Sequence, residues 1–266
     1  MTNSKEKALL IDITKCIGCQ SCSVACKEAH GVPGDPEPHL SATAFNTVRE
    51  QDGKFIRKMC MHCEQPACAS ACLVGALKKT ELGPVVYDKS KCVGCRYCMM
   101  ACPQSVPRYE WSKLAPYMKK CDMCYDRVSR GQPTACAEAC PVQATIFGGR
   151  DEILREARKR VIEDTNYVPH IYGERECGGA SMLFISDVEF ERLGFVIPKD
   201  DQPLPEVSRA ALDEAPTVVL VGGTMLAGLY WITNRRRQVL LAEAQNKTIK
   251  FPITKDTGDT GTERRS

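Results

Sequence analysis

The sequence predicts an α+β fold made of two similar halves and followed by one apolar helix that crosses a membrane. Three observations carry this prediction. Sixteen of the seventeen cysteines fall into four groups of four with nearly the same spacing. Short apolar runs bracket these groups, so that a unit of strand, turn and short helix recurs along the first 149 residues. Near the C-terminus, seventeen residues pass without a charge and are then followed by three consecutive arginines. The length of 266 residues allows one or two domains. A charged fraction of 26%, a net charge of +3 and a mean hydropathy of −0.27 exclude a polytopic membrane protein, a disordered chain and a strongly basic nucleic-acid binder.

The groups are Cys16, Cys19, Cys22, Cys26; Cys60, Cys63, Cys68, Cys72; Cys92, Cys95, Cys98, Cys102; and Cys121, Cys124, Cys136, Cys140. Each opens with C-x-x-C and closes with C-x-x-x-C. The first and third are full C-x2-C-x2-C-x3-C runs, and Pro103 and Pro141 follow the third and fourth, as in the bacterial ferredoxin motif. Lys27 and Leu73 stand there in the other two, a departure that leaves ligation intact. Cysteines at every third residue wrap three thiolates around one face of a cubane, and the fourth, opening a short helix, points to a neighbouring cubane. Structural zinc sites use two pairs of ligands, and secreted disulfide scaffolds are shorter and irregularly spaced. The cysteines therefore predict iron–sulfur chemistry. With no ligand replaced, they predict four 4Fe-4S clusters, and the fold is read as two ferredoxin-like double-cluster halves plus a single C-terminal transmembrane helix.

In order along the chain, residues 8–13 form an apolar strand feeding into Cys16. Residues 31–38 are a Gly/Pro-rich turn region, and residues 55–58 lead into the second group. Residues 76–79 and 85–87 flank Leu82-Gly83-Pro84 as a hairpin, and residues 144–147 form a strand ending in Gly148-Gly149. Residues 151–163 place Ile153, Leu154, Ala157 and Val161 on one helical face, with acids at the start and bases toward the end. Residues 182–185 are a strand, and Cys177 stands outside the four groups. The domain organisation that follows is a four-cluster domain over 1–149, a helix and strand extension packing on it over 150–197, and a linker over 198–216. A transmembrane helix over 217–233 and a polar cytoplasmic tail over 234–266 complete it.

The apolar run covers about 26 Å as a helix and ends in Tyr230-Trp231, an interfacial anchor, before Arg235-Arg236-Arg237. Gly223 with Ala227 and Thr224 with Gly228 offer small-xxx-small pairs. The arginines put the C-terminus in the cytoplasm and the cluster domain on the far side, the periplasm of a bacterium. The start of the chain carries neither a signal-peptide pattern nor a twin arginine, so the expectation is export as a folded passenger with a signal-bearing partner. No dinucleotide fingerprint, phosphate loop or catalytic triad is present, which predicts a non-catalytic, electron-transferring chain. His62, between two ligands, is expected to hydrogen-bond at a cluster's edge. Arg96, Lys119 and Lys120 are expected either to favour a reduced, more negative cluster or to form a solvated basic face.

Three stretches, residues 58–68, 94–99 and 124–132, resemble the iron–sulfur electron-transfer subunits of molybdopterin oxidoreductases. Within that family the sequence is most similar to the beta subunit of membrane-bound respiratory formate dehydrogenase, with the ferredoxin-type component of a membrane-bound uptake hydrogenase next. The resemblance implies a ligand pairing: Cys16, Cys19, Cys22 with Cys140; Cys121, Cys124, Cys136 with Cys26; Cys60, Cys63, Cys68 with Cys102; and Cys92, Cys95, Cys98 with Cys72. It also implies a catalytic molybdopterin subunit as electron donor and a membrane cytochrome b or other quinone-reducing subunit as acceptor. The alternatives are a hydrogenase component or a tethered free-standing ferredoxin carrier. The roughly 120 residues beyond the last motif argue against the carrier.

Overall fold

A computed structural model describes residues 5–113 and 116–248. The chain divides into two units, residues 1–209 and 210–266. The first is organised around β1 (Lys7–Asp12), the middle strand of a three-stranded sheet. It pairs antiparallel with β8 (Thr145–Gly149), Leu10 opposite Ile146, and parallel with β9 (Met182–Ile185), Leu10 opposite Leu183. Because β1 is central, both its faces are covered, and Ala8, Leu9, Leu10 and Ile11 are fully buried. Its alternation sorts the core into two layers. Ala8 and Leu10 pack with Ile153, Leu154 and Ala157 of α6 (Arg150–Glu163). Leu9 and Ile11 face the opposite layer with Ile56, Met59, Met182 and Phe184. The Glu152 carboxylate accepts the Gly149 N–H at 3.3 Å, closing the start of α6.

Three further two-stranded sheets carry the loops that hold the cysteines. In the first, β2 (Asn46–Gln51) and β3 (Lys54–Met59) turn at Asp52-Gly53, both at positive φ, the two-residue turn whose twist suits a hairpin. The second joins β4 (Leu77–Lys79) and β5 (Val85–Tyr87), and the third joins β6 (Arg108–Tyr109) and β7 (Met118–Lys119). The short cysteine-bearing helices pack in pairs: α1 (Ser21–Ala29) on α5 (Ala135–Glu138), and α2 (Ala67–Ser70) on α3 (Tyr97–Ala101). A further short helix, α4 (Tyr125–Ser129), follows Cys124.

The second unit is described through α7 (Leu204–Thr248). Of the residues expected as a linker, 204–216 are helical. Pro205 lies in the first turn, where its missing N–H has no partner to lose, and Glu206 complements the positive end of the helix dipole. Pro216, which reads as a break in the sequence, lies inside the helix. Over Leu204–Gln245 the helix is long and apolar enough to cross a membrane, and its apolar side chains are exposed rather than packed. Thr224 and Thr233 turn their hydroxyls back onto the Leu220 and Leu229 carbonyls at 2.9 and 2.8 Å, so neither needs water as a partner. The tail from residue 249 lies outside the described residues.

Candidate iron–sulfur centres

The loops that deliver the cysteines share one backbone device. In the first and third groups, glycines at positive φ, Gly18 and Gly94, precede the second cysteine, and Gln20 and Arg96 follow it in the left-handed conformation as helix N-caps. Met123 and Cys124 adopt the same conformation before α4. An L-residue pays about 1–2 kcal/mol for this, and such strain gathers at binding sites. Here it curls the chain so that successive side chains converge and amides turn toward sulfur. The Met123 N–H donates to Cys121 Sγ at 3.3 Å and the Ala76 N–H to Cys72 Sγ at 3.2 Å.

Four sets of cysteines result. One cavity is lined by Cys16, Cys19, Cys22 and Cys140, and another by Cys26, Cys121, Cys124 and Cys136. Cys63 lies within electrostatic reach of Cys60, Cys68 and Cys102, and Cys98 within reach of Cys72, Cys92 and Cys95. In each set three sulfurs come from one group and the fourth from another. The packing of α1 on α5 explains it: Cys26, within α1, lines the cavity of the fourth group, and Cys140, two residues past α5, lines that of the first. No cysteine is disulfide-bonded.

The electrostatics suit a cationic inorganic core. Burial, then the charge of neighbouring sulfurs, raises the thiols of Cys16, Cys63 and Cys98. Cys68 and Cys124 are pushed up to about 12, in both cases mainly by burial. Thiolates that penalise one another in this way are stabilised by a bound cation, which reverses the local logic. The donor set of soft sulfurs is the one that holds iron–sulfur groups. Cys19, by contrast, is exposed, and the Ser21 hydroxyl and amide lower its thiol. Cys95 is exposed too.

The residues singled out beside the cysteines have separate roles. His62 is fully buried, and its Nδ1 accepts the Val85 N–H at 2.8 Å; burial, then the charges of Lys120 and Lys79, keeps it neutral. Lys120 is buried, with Nζ donating to the Val85 and Cys121 carbonyls, and its charge bears on Cys68. Lys119 lies 3.7 Å from Glu110 near the surface and shares that carboxylate with Lys113 at 2.9 Å. Arg96 stacks 4.5 Å above Trp111. Cys177 lies outside all four sets, although its charge is felt at Cys63.

Two groups escape the sequence reading. His30, at the end of α1, holds Asp122 at 2.9 Å through Nε2 and the Cys26 carbonyl at 2.7 Å through Nδ1, and is pushed up to about 11 by the hydrogen bonds to Asp122 and Cys26. Both ring nitrogens are thus occupied, although His30, Asp122 and Cys124 lie close together. The other is Arg57, a buried guanidinium lining both of the first two cavities. A period-two reading of Phe55, Arg57 and Met59 along one strand face would have flagged it as a charge on an inward side.

A fold that gathers cysteines in fours around strained, amide-rich loops defines an iron–sulfur protein of the ferredoxin type. Residues 51–150 match the 4Fe-4S dicluster domain family. The protein is 35% identical to the Hydrogenase-2 operon protein HybA of Escherichia coli O157:H7, over 82% of its own length and 79% of that relative. It is 36% identical to the iron–sulfur subunit of the nitrate-inducible formate dehydrogenase of Escherichia coli, over 73% of each sequence. It is 39% identical to the B subunit of the anaerobic dimethyl sulfoxide reductase of the same species, over 57% of its own length and 77% of that relative. The protein belongs to the family of iron–sulfur electron-transfer subunits of molybdopterin oxidoreductases that these relatives represent.

Proposed function

We propose that this chain is the electron-transfer subunit of a membrane-bound respiratory oxidoreductase, holding four 4Fe-4S clusters in two ferredoxin-like halves. The observation that carries the reading is the convergence of sixteen cysteines in four sets, each completed by a cysteine from another group. Cys16, Cys19, Cys22 and Cys140 hold one cluster, and Cys26, Cys121, Cys124 and Cys136 its neighbour. Cys60, Cys63, Cys68 and Cys102 hold a third, and Cys92, Cys95, Cys98 and Cys72 the fourth. When bound, such clusters supply one-electron exchange without atom transfer. The chain's own residues do the rest: buried thiols exclude water, and loop amides donate to sulfur. Exposed Cys19 and Cys95 bring the first and fourth sites to the surface, where partners dock.

The partners we assign are a catalytic molybdopterin subunit, that of formate dehydrogenase, and a membrane cytochrome b or other quinone-reducing subunit. A hydrogenase as donor is the second reading, favoured by the wider match to HybA. α7 anchors the chain in the bilayer, with its internally satisfied threonines suited to a medium without water. The triple arginine then holds the C-terminus in the cytoplasm, and the cluster domain lies in the periplasm. The test is purification of the detergent-solubilised complex, with iron, acid-labile sulfide and the co-eluting large subunit determined. About sixteen irons per chain and a molybdopterin-bearing partner are expected; about twelve irons or fewer, or stoichiometric zinc, refutes the assignment.

A further inference from the structure

Arg57 projects from β3 into the core with only 3% of its surface exposed. Its Nε donates to Asn46 Oδ1 at 3.2 Å, Nη1 to Thr145 Oγ1 at 2.6 Å, and Nη2 approaches Met59 Sδ at 3.2 Å. All three partners are neutral and themselves buried. Among the described residues no carboxylate forms an ion pair with it; Lys54, on the same strand, is paired with Asp187. A guanidinium does not shed its proton, so the charge cannot be relieved by neutralisation. Buried and unpaired, such a charge is strongly disfavoured unless negative charge lies close by.

The negative charge available is on sulfur, from both sides. Arg57 lines the cavity of Cys16, Cys19, Cys22 and Cys140 and also that of Cys26, Cys121, Cys124 and Cys136. The charges of Cys136, Cys22 and Cys121 all act on it. Asn46, which fixes Nε, also donates through Nδ2 to the Cys22 carbonyl at 3.0 Å, tying the guanidinium to the first loop. The set of Cys60, Cys63, Cys68 and Cys102 draws on other cations, Lys120 beside Cys68 and Lys58 beside Cys102.

We infer that Arg57 is a shared countercharge set between the first and the fourth-motif cluster sites, a positioning residue that raises the reduction potential of both together. The inference rests on the cluster assignment proposed above. A cluster held by four thiolates is anionic and becomes more so on accepting an electron, and a fixed cation in a water-poor interior stabilises the reduced form more than the oxidised one. Because one guanidinium serves both sites, its removal must move two potentials in the same direction and leave the other two in place. A residue that merely fills space would move none.

The experiment is an EPR-monitored redox titration of the intact solubilised complex, with wild-type chain, Arg57→Gln, Arg57→Lys and Asn46→Asp. The two relevant signals are assigned from their loss in Cys19→Ala and Cys121→Ala. In Arg57→Gln, at full iron and sulfide, the reduced-to-oxidised ratio of these two signals is expected to fall about tenfold at fixed potential, a midpoint about 59 mV more negative. Arg57→Lys, which retains the charge, is expected to keep at least half of that difference. Unmoved midpoints in a fully loaded Arg57→Gln, or an equal shift of all four signals, overturn the inference. Should Arg57→Gln fail to load, Asn46→Asp decides: it sets a carboxylate against Nε with the guanidinium in place, and the same two midpoints must fall or the inference is wrong. A wild-type chain with fewer than four clusters overturns the four-cluster reading instead, and shows as missing iron rather than as an unmoved midpoint.

Discussion

Replacing Cys26 with alanine is expected to abolish the cluster of the fourth motif and to spare that of its own. Cys26 is buried on α1 and shares a cavity with Cys121, Cys124 and Cys136, whereas Cys16, Cys19 and Cys22 meet Cys140. The substitution leaves the backbone carbonyl of residue 26 in place, and with it the 2.7 Å bond that anchors His30. The pairing of α1 with α5 also rests on more than this side chain, so the fold should persist with far-UV circular dichroism unchanged. Iron per chain should then fall by one quarter, from about sixteen atoms to about twelve. The decisive assay is the identity of the missing EPR signal. The signal lost in Cys26→Ala should be the one lost in Cys121→Ala, and the signal lost in Cys140→Ala should be the one lost in Cys19→Ala. If Cys26→Ala and Cys19→Ala instead lose the same signal, each motif serves its own cluster and the reasoning from cavity lining fails.

Cys177→Ser should retain all iron and every cluster signal, because Cys177 belongs to none of the four sets; loss of any signal would make it a ligand. Gly18→Ala forces a side chain onto a residue at φ +70 with its Cβ only 2.5 Å from the Phe55 ring, adding about 1–2 kcal/mol of backbone strain to the clash. Occupancy of the first cluster should fall, and the double variant with Phe55→Ala should recover part of it, measured as iron per chain. For topology, protease added to intact spheroplasts should degrade the cluster domain and spare the C-terminal tail, since carrying each arginine of residues 235–237 to the bilayer centre costs about 2.5–3.5 kcal/mol. A protected cluster domain with a clipped tail reverses the orientation.

The parts of the structure legible in the sequence are those governed by local spacing. Cysteines at intervals of three announce their chemistry, and the apolar run of β1, the face of α6 and the hairpin around Gly83 are all short-range patterns that the structure contains. The β2–β3 hairpin is equally local, with Asp52-Gly53 at its turn, but its strands are rich in Arg, Glu and Lys and lack the apolar signature of a strand. Arg49 and Glu50 are exposed, whereas Arg57 turns inward toward sulfurs far away in the chain. The helical state of residues 204–216 is not legible because prolines usually interrupt helices, yet Pro205 sits where a helix tolerates one and Pro216 lies inside the helix, just before the long apolar segment.

The placement of β1 bears on how the protein is made. β1, the middle of its sheet, leaves the ribosome before its neighbours, β8 and β9, which begin at residues 145 and 182. Such pairing has a high contact order, and the entropy of closing so long a loop is lost before any contact is gained. The nascent N-terminal half must therefore wait, with Cys16, Cys19 and Cys22 already outside the ribosome and Cys140 still to come. Under the ligand assignment proposed above, the first site can be loaded only after Cys140 has emerged, and until then the cell must keep those thiols reduced and unliganded.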